Sequence, residues 1–347
     1  MRGFGSDNHS GVHPEILQAL HSANVDHEPS YGTDSITEKC NVLFKKEFGE
    51  QTESFFVFNG TAANVLSLKA LMKSHESCFV TDISHMNMDE CGAPEFFAGK
   101  LIPLKSHNGK FILNELEKNL IRQGDQHFSQ PKVISITQPT ELGTTYSLTE
   151  LKEIISWAKK NNLYVHIDGA RFTNALNYLR CSMKNLTADL GVDILSFGGT
   201  KNGLMFGETV VILNPQLQKD FKYIRKQAAQ LPSKTRFIAA QFLAFLQTRL
   251  DQKISAHCHQ MALYFKDQLE KYCPDITVSY PIQSNAVFAR IPKAWVKKLK
   301  QHYFFYVWDE NTFECRLMCS WDTQKEDIDG FIAVAKQLAL EPHDPQP

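Results

Sequence analysis

Three short stretches end in residues that could take part in a reaction. "FFVFNGTAAN" (55–64) closes a β-rich run with Gly60 and Thr61 at the start of a helical pattern. "LYVHIDGAR" (163–171) closes another with Asp168, a small turn and Arg171, and "ILSFGGTKNG" (194–203) closes a third with Lys201. A helix start of the "NGTAAN" kind offers unpaired backbone N–H groups and a positive dipole end, which suits a phosphate, and the Thr61 hydroxyl adds a donor. Asp168 can pair with the protonated nitrogen of a heterocycle, or it can cap the next helix. An amine among small residues at a strand end can be desolvated until it becomes a nucleophile toward an aldehyde; a solvated loop lysine reads the same in isolation. The order phosphate cradle, carboxylate, amine is what separates these readings. Together the three meet the needs of pyridoxal phosphate, which wants its phosphate held, its ring nitrogen protonated and its aldehyde bound to an amine.

Residues of this kind work only if strand ends bring them together, and the chain has the strands. From about residue 55 to 215 it alternates β-rich runs with amphipathic stretches, the pattern of a parallel α/β sheet. "KVISIT" (132–137), "LYVHID" (163–168), "DILSF" (193–197) and "ETVVIL" (208–213) read as strands covered on both faces. Between the first two, Ser147 and Glu150 fit a capping box, and Leu148, Leu151, Ile154, Ile155 and Ala158 recur at helical spacing. Ligands of open parallel sheets bind outside the carboxyl ends of the strands, where all three stretches end. A helical, Gln-rich stretch (237–272) then leads to new strands in "ITVSYPIQSNAVFARI" (276–291). We expect a large α/β domain over 1–245 with an N-terminal arm (1–15), a smaller C-terminal α+β domain over 246–340, and a disordered tail, "EPHDPQP" (341–347).

Composition excludes several other classes. The 347 residues are 43% hydrophobic and 22% charged, with 37 basic against 38 acidic side chains. That balance favours neither nucleic acid nor a charged membrane. The eight cysteines form no CxxC pair, so reduced thiols are expected rather than a zinc ribbon or redox pair. No apolar run approaches the roughly 18 residues that span a bilayer, and the polar start "MRGFGSDNHSG" lacks an apolar signal core. A soluble cytoplasmic enzyme acting on a small molecule is the expectation.

The stretches "SDNHSGVHPEILQAL", "YGTDSITEKCNVLFKKEFG", "FNGTAAN", "HIDGARFTNAL" and the lysine segment stand in one order along the whole chain. In that order and spacing the chain resembles the low-specificity L-threonine aldolases, pyridoxal-phosphate enzymes of fold type I in the aspartate aminotransferase superfamily. The resemblance implies a large domain with a mostly parallel central sheet covered by helices, plus the small C-terminal domain. It implies retro-aldol cleavage of L-threonine, L-allo-threonine and other L-β-hydroxy-α-amino acids to glycine and an aldehyde. Carried over by position, it implies that Lys201 bonds the cofactor aldehyde, Asp168 pairs with the ring nitrogen, and Gly60 and Thr61 hold the phosphate. His85, in "DISHMNMDE", would lie over the ring. Ser6, Arg171 and Arg316 would hold the substrate carboxylate. Tyr31 and Lys226 would reach a neighbouring subunit's site in a homotetramer, a dimer of dimers. A β-eliminating lyase or an aminotransferase of the same fold would share the lysine, the aspartate and the phosphate cradle. A silent cofactor-binding protein would not need the carboxylate grip.

Two departures from the family pattern bear on mechanism. Many members carry "ENTH" on the strand before the aspartate strand, its histidine facing the substrate hydroxyl; here the text is "SITQPTELGTTYS", with Thr140 in that place. A subset of the family resembles the "ITQPTELGT" pattern. His85, or a water it holds, is then the expected base for the hydroxyl. After Lys226, where a glycine-rich loop is common, this chain reads "QAAQLPSKTRF" (227–237). Other features are set aside: His257 and His259 stand two apart in helical text and do not share a face, so no metal site is expected. His127 and Asp125 read as a surface loop, and Cys315, Cys319, Phe313 and Trp321 as packing residues.

Overall fold

The computed structural model describes residues 2–341. The expected tail lies outside the described residues from 342 on. A seven-stranded sheet runs, edge to edge, Glu53–Val57, Glu208–Ile212, Ile194–Gly198, Tyr164–Gly169, Gln130–Thr137, Glu76–Thr81 and Lys100–Leu104. All are parallel except Glu208–Ile212, which pairs antiparallel with both of its neighbours. The reversal follows from chain length, because residues 199–207 are too few for the dozen or more that a parallel crossover requires. It also brings the first residue of that strand, Glu208, to the edge where the neighbouring strand delivers Lys201.

Alternate strand residues feed two cores, as a sheet covered on both faces requires. In Ile194–Gly198, Leu195 and Phe197 join one cluster and Ile194 the other. Phe197 packs among Phe44, Phe48 and Phe172 at ring separations of 5.9, 5.6 and 6.2 Å. Each buried ring contributes about 2–3 kcal/mol by removing apolar surface from water. The helix Leu148–Lys160 starts with the capping box of Ser147 and Glu150 and buries Leu151, Ile154, Ile155 and Ala158.

Beyond this layer the stretch read as one helical run divides into Arg236–Gln247 and Leu250–Tyr272, parted by Arg249 in left-handed geometry (φ 55°). The longer helix touches two cores: Leu250, Ile254 and Cys258 pack with the main sheet, and Met261, Phe265 and Leu269 with a second cluster. That cluster lies under a four-stranded antiparallel sheet ordered Thr277–Val278, Ala286–Arg290, Glu314–Met318, Tyr306–Asp309. The N-terminal arm crosses to it. Phe4 is buried in the second cluster, its N–H donates to Phe304 O (2.7 Å), and its carbonyl accepts from Met318 N–H (2.8 Å).

Candidate active site

A cavity of about 630 Å³ opens at the carboxyl edge of the main sheet. Five strand ends supply its floor and walls: Gly60 follows Val57, His85 follows Thr81, Thr137 and Glu141 end the Gln130–Thr137 strand, Asp168 and Arg171 the next, and Lys201 the next. Ser6 on the arm, and Tyr306, Trp308 and Arg316 on the small sheet, close it from the other side. Of the expected residues, Lys201, Asp168, His85, Gly60, Arg171, Ser6 and Arg316 line this one space.

Lys201 sits in the tight turn after Gly198 and makes no hydrogen bond or ion pair among the described residues. Burial lowers its pKa, the Arg171 charge adds to that, and Asp7, Asp168 and Glu208 only partly offset it, so the amine stays below its ordinary value. What comes close to the glycines is the protein's own backbone: a Cβ at Gly198 would lie 2.2 Å from Ala170 O. Asp168 accepts from the Asn64 amide at Oδ2 (2.9 Å) and from Ala170 N–H at Oδ1 (3.1 Å). The same Asn64 nitrogen donates to Glu90 Oε1 (2.8 Å), which also meets His85 Nδ1 (2.8 Å). The hydrogen bond to Glu90 raises the His85 pKa against the opposing cost of burial. Nδ1 is thereby committed, and the imidazole is tied through Glu90 and Asn64 to Asp168.

The two arginines differ in what they are free to do. Arg171 donates through Nε and Nη2 to the two oxygens of buried Asp7 (2.6 and 2.8 Å), which also accepts from Asn285 (3.1 Å). The expected grip of Arg171 on a carboxylate is therefore largely taken by the protein's own. Burial alone would raise Asp7, but the Arg171 guanidinium overrides it and holds the carboxyl below its ordinary value. Arg316 makes one long bond, Nη2 to Gly5 O (3.3 Å), and lies between the rings of Tyr306 and Trp308 at 5.6 and 5.4 Å. Its Nε has no partner among the described residues. Burial, then the charge of Arg171, push it down to about 10. An uncompensated guanidinium this shielded is a receptor for an anion.

Three expected residues do not line the cavity of their own chain. Thr61 lies one step into the helix Gly60–Leu71. Lys226 and Tyr31 meet outside, the amine 5.1 Å from the ring centroid, with Tyr31 half exposed. Asp125 pairs with Arg122, and His127 N–H donates to Asp125. His257 and His259 donate to separate carbonyls, those of Thr323 and Ser284. Thr140 lines the cavity but spends its hydroxyl on Thr144 (2.8 Å). Asp7, Asn64, Glu90, Glu141 and Glu208 were not anticipated. Asn64 alone had a local signal, one helical turn beyond Gly60 on the same face.

These residues fit pyridoxal phosphate. Lys201 offers a desolvated amine, and Asp168 a carboxylate fixed in place by two donors. The Asn59 side chain takes the N–H of Ala62, while the first-turn N–H groups of Gly60 and Thr61 point out of the helix. A Cβ at Gly60 would meet nothing within 4 Å, so the space before that helix is open.

Comparisons with known proteins agree. The beta-eliminating lyase family model matches residues 3–292. The chain is 38% identical over 339 residues to the low specificity L-threonine aldolase of Pseudomonas aeruginosa, covering 97% of each chain. It is 38% identical over 332 residues to the one from a Pseudomonas species, covering 95% of this chain and 96% of the relative. A solved threonine aldolase from Leishmania major superposes with a TM-score of 0.92 at 28% identity, over 97% of this chain and 99% of that one. With fold, cavity and full-length similarity in agreement, this chain belongs to the beta-eliminating lyase family, among its low-specificity threonine aldolases.

Proposed function

We propose that this chain cleaves L-threonine, L-allo-threonine and other L-β-hydroxy-α-amino acids to glycine and an aldehyde. Enzymes of this family depend on pyridoxal phosphate, which when bound supplies an electron sink next to the amino acid's Cα. Lys201 would hold its aldehyde, Asp168 its ring nitrogen, Gly60 and Thr61 its phosphate, and His85 would cover its ring. Arg316 receives the substrate carboxylate, Ser6 adds a hydroxyl, and Arg171, steadied by Asp7, presents its remaining nitrogen. Gripping the carboxylate fixes which Cα bond is aligned for cleavage. The single observation that carries this reading is the guanidinium of Arg316, with no carboxylate partner among the described residues, lining the same cavity as the desolvated Lys201 amine: a place for an amino acid, amine down and carboxylate aside.

The assembly belongs to the same proposal. Tyr31 and Lys226 would act in a neighbour's site within a homotetramer. Support comes from an apolar groove beside them that includes Phe58, Met205 and Phe206, with Phe58 and Met205 exposed. Light scattering that gave the mass of one chain would contradict it. We place the division between large and small domains near residue 246, and the protein in the cytoplasm. Among the described residues no helix is long and apolar enough to cross a membrane. The test of function is Lys201→Ala: it should lose the visible absorption of the lysine-bound cofactor and roughly a thousandfold or more of aldehyde release from L-threonine. A variant that kept both would refute the assignment.

A further inference from the structure

We infer that Glu141 is the group that takes the proton of the substrate's β-hydroxyl. The inference rests on the aldolase reading and gives the base's role, expected of His85 because Thr140 stands where much of the family has a histidine, to a different residue.

The geometry is that of a carboxyl held in place but incompletely satisfied. Glu141 lines the cavity at the end of the Gln130–Thr137 strand. Its Oε1 accepts from His85 N–H (2.9 Å) and from the Thr137 hydroxyl (2.9 Å). Its Oε2 is shut off from solvent and has no partner among the described residues. A substrate hydroxyl that reaches this carboxylate therefore takes the place of one of the Oε1 donors, or Oε2 turns into the cavity as those bonds are given up. In the sheet, Thr137 is in register with Asp168, and Asp168 with Ser196 on the strand that leads to Lys201. Glu141 and Lys201 thus flank Asp168 from opposite sides. A substrate with its amine at Lys201 and its carboxylate at Arg316 has the Glu141 wall left for its side chain.

Charge favours the same residue. Burial is the main cause that pushes the Glu141 carboxyl up to about 7, with the like charge of Asp168 adding to it and the donors from His85 and Thr137 opposing it. Arg171 and Tyr146 are the other ionisable groups that sense it. A base that titrates near the working pH combines availability with proton affinity. The rival groups are placed differently. His85 has Nδ1 on Glu90, a bond that raises its pKa, and its ring is the one proposed to cover the cofactor. Glu90 is buried with Oε1 shared by His85 and Asn64, and it stands behind the imidazole that is proposed to cover the cofactor ring, although its Oε2, like that of Glu141, has no partner among the described residues. Glu208, also pushed up to about 7 by burial, is bonded to Gly199 N–H on the Lys201 side of the cavity. Thr140 bonds Thr144.

The step balances without an added reactant. The hydroxyl proton passes to the Glu141 carboxylate, the O–Cβ bond becomes a carbonyl as Cα–Cβ breaks, and the bonding pair stays with Cα. The aldehyde leaves, a proton from solvent adds at Cα to complete glycine, and Glu141 gives its proton back to solvent, so that none is gained or lost overall.

Glu141→Gln tests this, since the amide oxygen can keep both Oε1 hydrogen bonds while the proton acceptor is lost. In the holoenzyme, aldehyde release from L-threonine should fall roughly 10²–10⁴-fold. Glycine, which has no hydroxyl, should still shift the cofactor's visible absorption and exchange its Cα protons with deuterated water. In wild type kcat/KM for threonine should rise with pH through an apparent pKa near 7, because the ionised carboxyl is the active form. Thr137→Val, which removes a donor to that carboxylate, should move this limb to higher pH while glycine exchange persists. A Glu141→Gln enzyme with more than about a tenth of wild-type cleavage, one that loses glycine exchange along with cleavage, or a limb unmoved by Thr137→Val overturns the role of Glu141. Wild-type enzyme that exchanges glycine protons but releases no aldehyde from threonine overturns the aldolase reading instead.

Discussion

Asp7 governs what Arg171 is free to do. The carboxylate occupies two of the guanidinium's nitrogens inside the protein, so removing it leaves a buried cation without its partner, a change that costs far more than an exposed ion pair returns. Asp7→Asn should lower the stability of the cofactor-free protein by roughly 3 kcal/mol, measured by urea unfolding at neutral pH. A loss under about 0.5 kcal/mol, the range of an ordinary surface substitution, would show that Arg171 finds another partner. The lysine and the aspartate of the site were legible in the sequence because each ends a recognisable strand. Asp7, Glu90 and Glu141 were not. Their significance comes from contacts with residues far along the chain, Asp7 with Arg171 and Glu141 with His85, and no local pattern marks such a carboxylate.

At the scale of elements, the turn joining Ile194–Gly198 to Glu208–Ile212 sets the lysine's position. Gly198 is required there by contact with backbone, since its Cβ would fall 2.2 Å from Ala170 O, whereas Gly60 has open space around it. Gly198→Ala should therefore displace the strand end, cost about 3 kcal/mol and abolish the cofactor's visible band. Gly60→Ala should leave stability near wild type and weaken cofactor retention, because the methyl group enters the space before the helix. Equal stability of the two variants, followed by thermal unfolding, would contradict this difference. Strands and helices were largely readable: the two-sided burial of the sheet gives continuous apolar runs, and the Ser147 capping box is local. Strand direction was not carried by those runs. Glu208–Ile212 is as apolar inside as its neighbours, and only the shortness of the connection reverses it. The break at Arg249 was hidden in the same way, because helical spacing continues on both sides of it.

For the whole molecule, the site exists because three parts of the chain meet. The sheet edge brings the amine and the Asp168 carboxylate, the small sheet brings Arg316, and the arm brings Ser6 while anchoring Phe4 in the second core. The long helix Leu250–Tyr272 packs into both cores and couples their positions. A sequence read locally shows each part but not their meeting. Tyr31 and Lys226, outside the cavity of their own chain, have their proposed use only in an assembly. This cavity breaks Cα–Cβ of a β-hydroxy amino acid, and product analysis of the holoenzyme with L-threonine and no keto acid is the deciding measurement. Acetaldehyde and glycine should appear in equal amounts. Ammonia with 2-oxobutanoate in their place would make the protein an eliminating lyase, and turnover that required a keto acid would make it an aminotransferase; either result would contradict the claim.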